Sequence, residues 1–279
     1  MSQQYHTSPP QIPNVLTIAG SDSGGGAGIQ ADIKAISATG GFACSAITAL
    51  TAQNTQGVDA IFPVSAEFVG QQLDAIFSDI NIAAVKIGML NDSSVIEVIA
   101  QKLAHYNLMN VVLDPVMVAT SGDPLIQLSA INTLKEKLIP LVRLITPNLP
   151  EAGLLIGEPE PKSEREIEGF IEKLKAHSEL HNVDILLKGG HFKGEESRDW
   201  LIQRNQTAVY THQRIVTKNT HGTGCTLSSA IASYLAQGFE LTEAVGHAKQ
   251  YLSRALTHAD ELNVGKGAGP VHHFYTLRT

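Results

Sequence analysis

Cysteine is scarce in this chain. Cys44 and Cys225 are the two in 279 residues, far apart and with no Cys-x-x-Cys pattern. That excludes a disulfide scaffold and a cysteine metal knuckle, and it makes a reducing cytoplasm the expected compartment. No apolar run reaches membrane-spanning length, so no membrane partner is expected. There is no long basic cluster and the formal net charge is −7, which argues against nucleic acid as the main partner. Internal repeats, low-complexity segments and a linker long enough to divide the chain are also missing. One domain over residues 14–273 is the expectation. Met1 to Pro13 is polar, lacks the basic start and apolar core of a signal peptide, and reads as a flexible tail. His177 and His181 are four residues apart but lack the glutamate of a His-Glu-x-x-His zinc motif; His272-His273 carries no such pattern either.

Two nucleotide signatures are absent as well. No Gly-x4-Gly-Lys-Ser/Thr occurs, so there is no P-loop. Gly26, Gly28 and Ala31 fit Gly-x-Gly-x-x-Ala between a strand and a helix. A dinucleotide fold also needs an acid about 20 residues on for the ribose, and Ile33 through Val58 contains no Asp or Glu. What remains is a glycine loop that lets a ligand approach backbone, or one needed only for packing.

Hydrophobic residues make up 43% and charged residues 17%, the balance of a well-buried enzyme. Short apolar runs alternate with helical spacing. Strands are expected at Asn14–Ala19, Phe42–Leu50, Ala83–Ile87, Asn110–Leu113, Leu141–Ile145 and Val183–Leu187, with a hairpin at Asp199–Gln203 and Ala208–Thr211. Helices are expected at Ile29–Thr39, Ser65–Asp79, Ser94–His105, Leu128–Ile139, Ser163–His177, Thr223–Ala236 and Thr242–Leu256, the fifth opening on capping-box spacing. This order predicts an α/β fold, a mostly parallel central sheet with helices on both faces. Ligands then bind beyond the carboxyl ends of the strands. Polar and glycine residues collect there: Gly20-Ser21-Asp22, Gly88-Met89, Asp114-Pro115, Asn148 and Lys188-Gly189-Gly190.

The stretch from Asn219 to Ser228 turns a glycine-rich bend into a helix start. The first N–H groups of a helix have no internal partner, and the macrodipole is positive there. Gly222 and Gly224 carry no Cβ, so an anion such as phosphate can come close to the backbone of Gly222, Thr223, Gly224 and Cys225. A thiol at a helix start is expected to titrate below its usual value of about 8.5. The plainer alternative is a glycine turn with a buried cysteine. Asp32, one turn into the first helix, either answers the helix dipole or faces a ligand. Gln53 offers an amide suited to an aminopyrimidine edge, although surface glutamines are commoner. Asn148 and Glu151 suit a magnesium ion that keeps most of its waters, or simply form a capping box. Asp114 is a further oxygen donor, and Lys188 either meets phosphate or is solvated.

In combination these stretches are specific. Ala19-Gly20-Ser21-Asp22, Gly25 to Asp32, Thr48 to Thr55, Lys86-Ile87-Gly88-Met89-Leu90, Thr146 to Glu151, Lys188-Gly189-Gly190-His191 and His221 to Cys225 resemble the bacterial hydroxymethylpyrimidine/phosphomethylpyrimidine kinases of thiamine biosynthesis. The resemblance runs in order from about Asn14 to His273. It implies a ribokinase-like fold, ATP with Mg²⁺ as phosphoryl donor, and two successive phosphorylations of a hydroxymethylpyrimidine. Residue by residue, it implies that Gly222 to Cys225 form the anion hole with Cys225 as base, and that Gly20, Asp32, Gln53, Met89 and Val116 line the pyrimidine pocket. It further implies that Asn148 and Glu151 hold the metal through water near Asp114, and that Lys188 faces the nucleotide phosphates. Homodimers are common in that family. A pyridoxal kinase of the same fold is the nearest alternative.

Overall fold

The computed structural model describes residues 11–90, 92–117, 128–190, 192 and 194–277; most of the expected N-terminal tail and His191 lie outside the described residues. The strands are β1 (Asn14–Ala19), β2 (Phe42–Ile47), β3 (Ala49–Asn54), β4 (Gly57–Pro63), β5 (Ile82–Ile87), β6 (Val111–Leu113), β7 (Leu144–Ile145), β8 (Asp184–Lys188), β9 (Glu196–Ile202) and β10 (Thr207–Gln213). The helices are α1 (Gly28–Ala38), α2 (Ala66–Phe77), α3 (Ser93–His105), α4 (Leu128–Thr133), α5 (Leu149–Ile156), α6 (Ile167–Ala176), α7 (Thr223–Ala236) and α8 (Leu241–Thr257). Eight strands form one sheet in the order β10-β9-β8-β7-β6-β5-β1-β2, and β3 and β4 form a separate hairpin. Pairing is parallel from β2 to β8 and antiparallel at β8-β9-β10. The expected α/β fold with a mostly parallel sheet is therefore present.

Burial explains the two kinds of strand. The central parallel strands are covered on both faces and are apolar almost throughout, whereas edge strand β10 alternates half-buried and exposed residues. Because successive side chains point to opposite faces, each central strand feeds two cores. Leu16, Ile18, Val85, Ile87, Val111 and Leu113 pack with α2, α3, α5 and α6. Val15, Ala84, Val112, Leu144 and Leu186 pack with α1, α7 and α8. Each fully buried Leu or Ile contributes roughly 1.5–3 kcal/mol.

This topology makes one crevice. The chain leaves β1 through α1 to reach β2, and later enters β5 on the other side of β1. Helix α1 belongs to one core and α3 to the other. The carboxyl ends of β1 and β5 therefore flank the switch point, where a doubly wound sheet leaves room for a ligand. Backbone bonds carry the strand ends forward in step. Gly88 donates to Ile18, Asp114 to Ile87, Thr146 to Leu113 and Lys188 to Pro147.

Several expected boundaries shift. The run from Phe42 to Leu50 is not one strand: β2 ends at Ile47, and β3 turns away to pair with β4. Gln53 thus lies within a strand rather than after one. The helix expected over Leu128–Ile139 changes to π-helix at Leu134–Leu138. Strand β7 has two residues, not five. The capping-box spacing at Ser163 opens a 3-10 turn, Glu164–Glu166, before α6 begins. Among the described residues no helix is long and apolar enough to cross a membrane.

Candidate active site

The mouth of α7 is the centre of the site. Gly222 adopts a left-handed conformation, φ 77°, and precedes the first helical residue. A Cβ there would overlap the carbonyl oxygen of Gly26, so α7 begins pressed against the loop that precedes α1. Thr226 donates to Gly222, while the N–H groups of Gly224 and Cys225 have no acceptor among the described residues. Residues 221–225 are partly exposed and Thr226 to Ser233 are buried. Two unpaired amides therefore lie in a partly exposed segment at the positive end of a helix, as an anion site requires. Thr226 Oγ1 also lies 2.9 Å from His273 Nε2. Burial drives His273 down to about 3, so this ring is a neutral fastening for the first turn of α7 and not a stray tail histidine.

Gly224 looks onto Lys188 and Asp114. A Cβ at Gly224 would sit 3.3 Å from Lys188 Nζ and from Asp114 Oδ2. Lys188 Nζ donates to Asp114 Oδ1 at 2.8 Å, with only 16% of its side chain exposed. The solvated-surface reading of Lys188 is excluded. Burial alone would lower the Lys188 ammonium, but Asp114 and Glu151 outweigh it and raise its pKa. Burial would raise Asp114, yet Lys188, Lys86 and the Thr146 hydroxyl hold its carboxyl below the ordinary range. Glu151 is different. Burial pushes it up to about 7, and Lys188 offsets this only in part.

Asn148 and Glu151 do form the capping box. Asn148 Oδ1 accepts from Glu151 N at 2.9 Å and Glu151 Oε2 accepts from Asn148 N at 2.8 Å. The capping reading and a metal role are compatible, because a carboxylate offers about four lone-pair sites. Among the described residues no three His, Cys, Asp or Glu side chains cluster as a metal cage. Mg²⁺ does not need one; it binds through one or two carboxylates and keeps waters and phosphate oxygens. A buried carboxyl held near pH 7 beside Asp114 suits such an ion, and the free amides with Lys188 suit a polyphosphate.

Two expectations need correction. Asp32 does not face the opening. It is fully buried, bonded to Lys86 Nζ at 2.8 Å through both oxygens, to Thr17 Oγ1 at 2.6 Å and to Ser229 Oγ at 2.7 Å. Cys225 is partly exposed, but its thiol is not acidified: burial pushes it up to about 11, and Lys86 and the Gly28 N–H pull against that without prevailing. Of the two readings left open for the first loop's glycines, Gly26 and Gly28 fit the packing one. A Cβ at Gly26 would overlap the His221 ring, and one at Gly28 the Gly20 carbonyl oxygen.

The remaining expected residues gather on the other side of the crevice. Gly20 packs on Met89, whose Cε would lie 3.0 Å from a Cβ at Gly20. Thr48 Oγ1 donates to the Met89 carbonyl at 3.3 Å. Val116 lies two residues after Asp114 and is partly exposed. Gln53, on β3, comes within 3.5 Å of His221 Nε2. Val116, Met89, Gln53 and the mouth of α7 are thus all partly open to solvent at the strand ends.

Sequence reasoning passed over two pairs. Lys86 is the one charged residue of strand β5, and its ammonium is fully buried against Asp32. A lone lysine in an apolar strand is itself a signal, since a buried charge demands a partner. Asp22 and His221, 199 residues apart, meet at 2.8 Å and tie the first loop to α7.

A phosphomethylpyrimidine kinase family profile matches residues 22–272. The chain belongs to the phosphomethylpyrimidine kinase family. The hydroxymethylpyrimidine/phosphomethylpyrimidine kinase of Escherichia coli strain K12 is 50% identical over 262 residues, which cover 94% of this chain and 97% of that protein. The crystal structure of phosphomethylpyrimidine kinase from Clostridium difficile 630 matches with TM-score 0.75 and 43% identity, covering 88% of this chain and 99% of that one. An ADP complex of Bacillus subtilis pyridoxal kinase matches with TM-score 0.87 and 33% identity, covering 96% and 100%.

Proposed function

We propose that the protein transfers the terminal phosphoryl group of ATP to 4-amino-5-hydroxymethyl-2-methylpyrimidine, and then to the resulting monophosphate, giving the diphosphate used in thiamine biosynthesis. The observation that carries this reading is the convergence at Gly224 of two unpaired helix amides with Lys188 and Asp114. Phosphoryl transfer spreads charge over the migrating oxygens, so catalysis is mostly positioning and electrostatics. The amides of Gly224 and Cys225 and the Lys188 ammonium answer that charge. Glu151, Asn148 and Asp114 would hold Mg²⁺ through water, and when bound the ion neutralises phosphate charge. Gly20, Met89 and Val116 would wall the pyrimidine and Gln53 would bond its edge.

Cys225 takes the alcohol proton. With a thiol at about 11, the thiolate is a fraction of about 10⁻⁴ at pH 7. That scarcity is partly offset because a base of higher pKa accepts a proton more strongly.

The test is incubation with ATP, Mg²⁺ and the hydroxymethylpyrimidine, with products resolved by mass. Monophosphate followed by diphosphate is expected; a product that stops at monophosphate removes the second activity. A second reading, pyridoxal kinase, is favoured by the fit to the Bacillus subtilis enzyme. The ratio of kcat/KM on the two alcohols decides between them, and the pyrimidine is expected to lead.

A further inference from the structure

Asp22 is a carboxylate with no free use. Its Oδ1 accepts from Gly24 N at 2.8 Å, and its Oδ2 from Gly26 N at 3.0 Å and Ala27 N at 2.8 Å. Burial alone would raise its pKa, but the His221 bond and these backbone N–H groups keep it below the ordinary range. An ionised carboxylate only accepts hydrogen bonds. His221 Nε2 lies 2.8 Å from Asp22 Oδ2, so Nε2 must carry the proton and donate it.

That proton fixes the group on its other side. The Gln53 amide lies with Nε2 3.5 Å from His221 Nε2 and Oε1 3.2 Å from Thr51 Oγ1. In this orientation one end sets donor against donor. The other end faces a hydroxyl whose single proton goes to the Ser21 carbonyl at 2.9 Å. Which end of a carboxamide is oxygen is decided by its partners. Turning the amide over repairs both ends. Oε1 then accepts from His221 Nε2–H, shared with Asp22, and the NH₂ group donates to the lone pair of Thr51 Oγ1.

We infer that His221, held by Asp22, is a specificity-determining positioning residue that fixes the direction of the Gln53 amide. The inference rests on the proposed role of Gln53 at the pyrimidine edge. A carboxamide free to turn over serves either of two edges. One pairs a ring nitrogen acceptor with an exocyclic amine donor, as in a 4-aminopyrimidine. The other pairs a ring N–H donor with a carbonyl, as in the 4-oxo analogue. Anchored by His221 and Thr51, the amide presents one order of donor and acceptor, and the aminopyrimidine is preferred.

Two measurements test this. In the wild-type protein, a long-range ¹H–¹⁵N spectrum of the histidine rings should show His221 protonated at Nε2; a bare Nε2 overturns the inference whatever any variant does. The second is the ratio of kcat/KM for the 4-amino alcohol to that for the 4-oxo analogue. His221→Leu should lower this ratio at least tenfold, with the KM for ATP unchanged. His221→Gln, which keeps a donor, should hold the ratio within about threefold of wild type, the size of one weak hydrogen bond. A merely structural role for His221 would depress both substrates together and leave the ratio intact, which overturns the inference. Gln53→Leu separates the two layers. If it collapses the ratio and His221→Leu does not, the positioning role falls and the Gln53 reading stands. If neither variant moves the ratio, both fall.

Discussion

Asp32→Asn separates a ligand contact from a buried strut. The resemblance to known kinases places Asp32 in the pyrimidine pocket, whereas the structure buries it completely against Lys86. The substitution keeps the shape and leaves the Lys86 ammonium without its carboxylate. Removing one member of a buried ion pair costs about 3–5 kcal/mol. Total stability of a domain is about 5–15 kcal/mol, so this is a large share of it. At about 2–4 °C per kcal/mol for a chain of this size, Tm should fall by about 6–20 °C. Burial alone would lower the Lys86 pKa, but Asp32, with Cys225 and Asp114, holds it above the ordinary lysine value. A raised lysine contributes stability that is complete below its unfolded pKa and lost only as pH rises through the folded one. The wild-type contribution should therefore not change between pH 6 and pH 9, but in the variant burial draws the Lys86 pKa down, so the deficit should be no larger at pH 9 than at pH 6. The assays are thermal melts at both pH values, and KM for the pyrimidine well below the lowered Tm. KM should change less than about threefold, because no hydrogen bond to ligand is lost. A KM raised tenfold or more with an unchanged Tm would refute the buried-strut argument and restore Asp32 to the pocket.

Three further outcomes are expected. Glu151→Gln should stabilise the ligand-free protein at pH 8 by about 1–3 kcal/mol and have little effect at pH 5, because a carboxyl raised to about 7 contributes most below its unfolded pKa and loses that contribution as pH passes 7; melts that do not differ between the two pH values would contradict it. Cys225→Ala should lower kcat at least tenfold at pH 7.5, and wild-type kcat should rise with pH between 7 and 9 while the variant stays flat, since the thiol titrates at about 11; a wild-type plateau near pH 7 would show that the thiol is not raised during turnover. Gly222→Ala must push apart the two glycine loops and adopt a strained φ, and should cost about 1–3 kcal/mol with a kcat loss of at least tenfold; an active, stable variant would mean that the loops need not touch.

Local rules made much of this molecule legible. Apolar period and glycine punctuation located the parallel strands and the main helices, and the chemistry at the strand ends followed from them. The hairpin of β3 and β4 escaped because β4 is exposed along nearly its whole length, β3 is mostly only half-buried on its inner face, and its turn at Thr55-Gln56 carries no Asn-Gly signal. Strand β7 escaped in length because it pairs over only two residues. In the site, residues that act through backbone or local capping were visible: Gly222, Gly224, Asn148 and Glu151. Residues defined by a distant partner were not. Asp22 with His221, Lys86 with Asp32 and Thr226 with His273 are each made by the fold.

Cys225 shows why a correct local rule gave the wrong direction. A helix start favours a nearby anion by about 0.3–1 kcal/mol, less than one pKa unit. Burial can move a group by several units, and here Asp32 and Asp114 add to it while Lys86 opposes it. Desolvation therefore wins, and the thiol stays neutral. A neutral thiol also suits the place it occupies. Two unit charges 4 Å apart interact by about 4 kcal/mol at an effective dielectric of 20. A standing thiolate beside the free amides of Gly224 and Cys225 would repel the phosphate those amides attract. A thiol that keeps its proton in all but about 10⁻⁴ of the molecules at pH 7 leaves the mouth of α7 open to anions, and turnover draws on the minor thiolate form, which has already lost its proton to solvent and can take the alcohol's hydrogen.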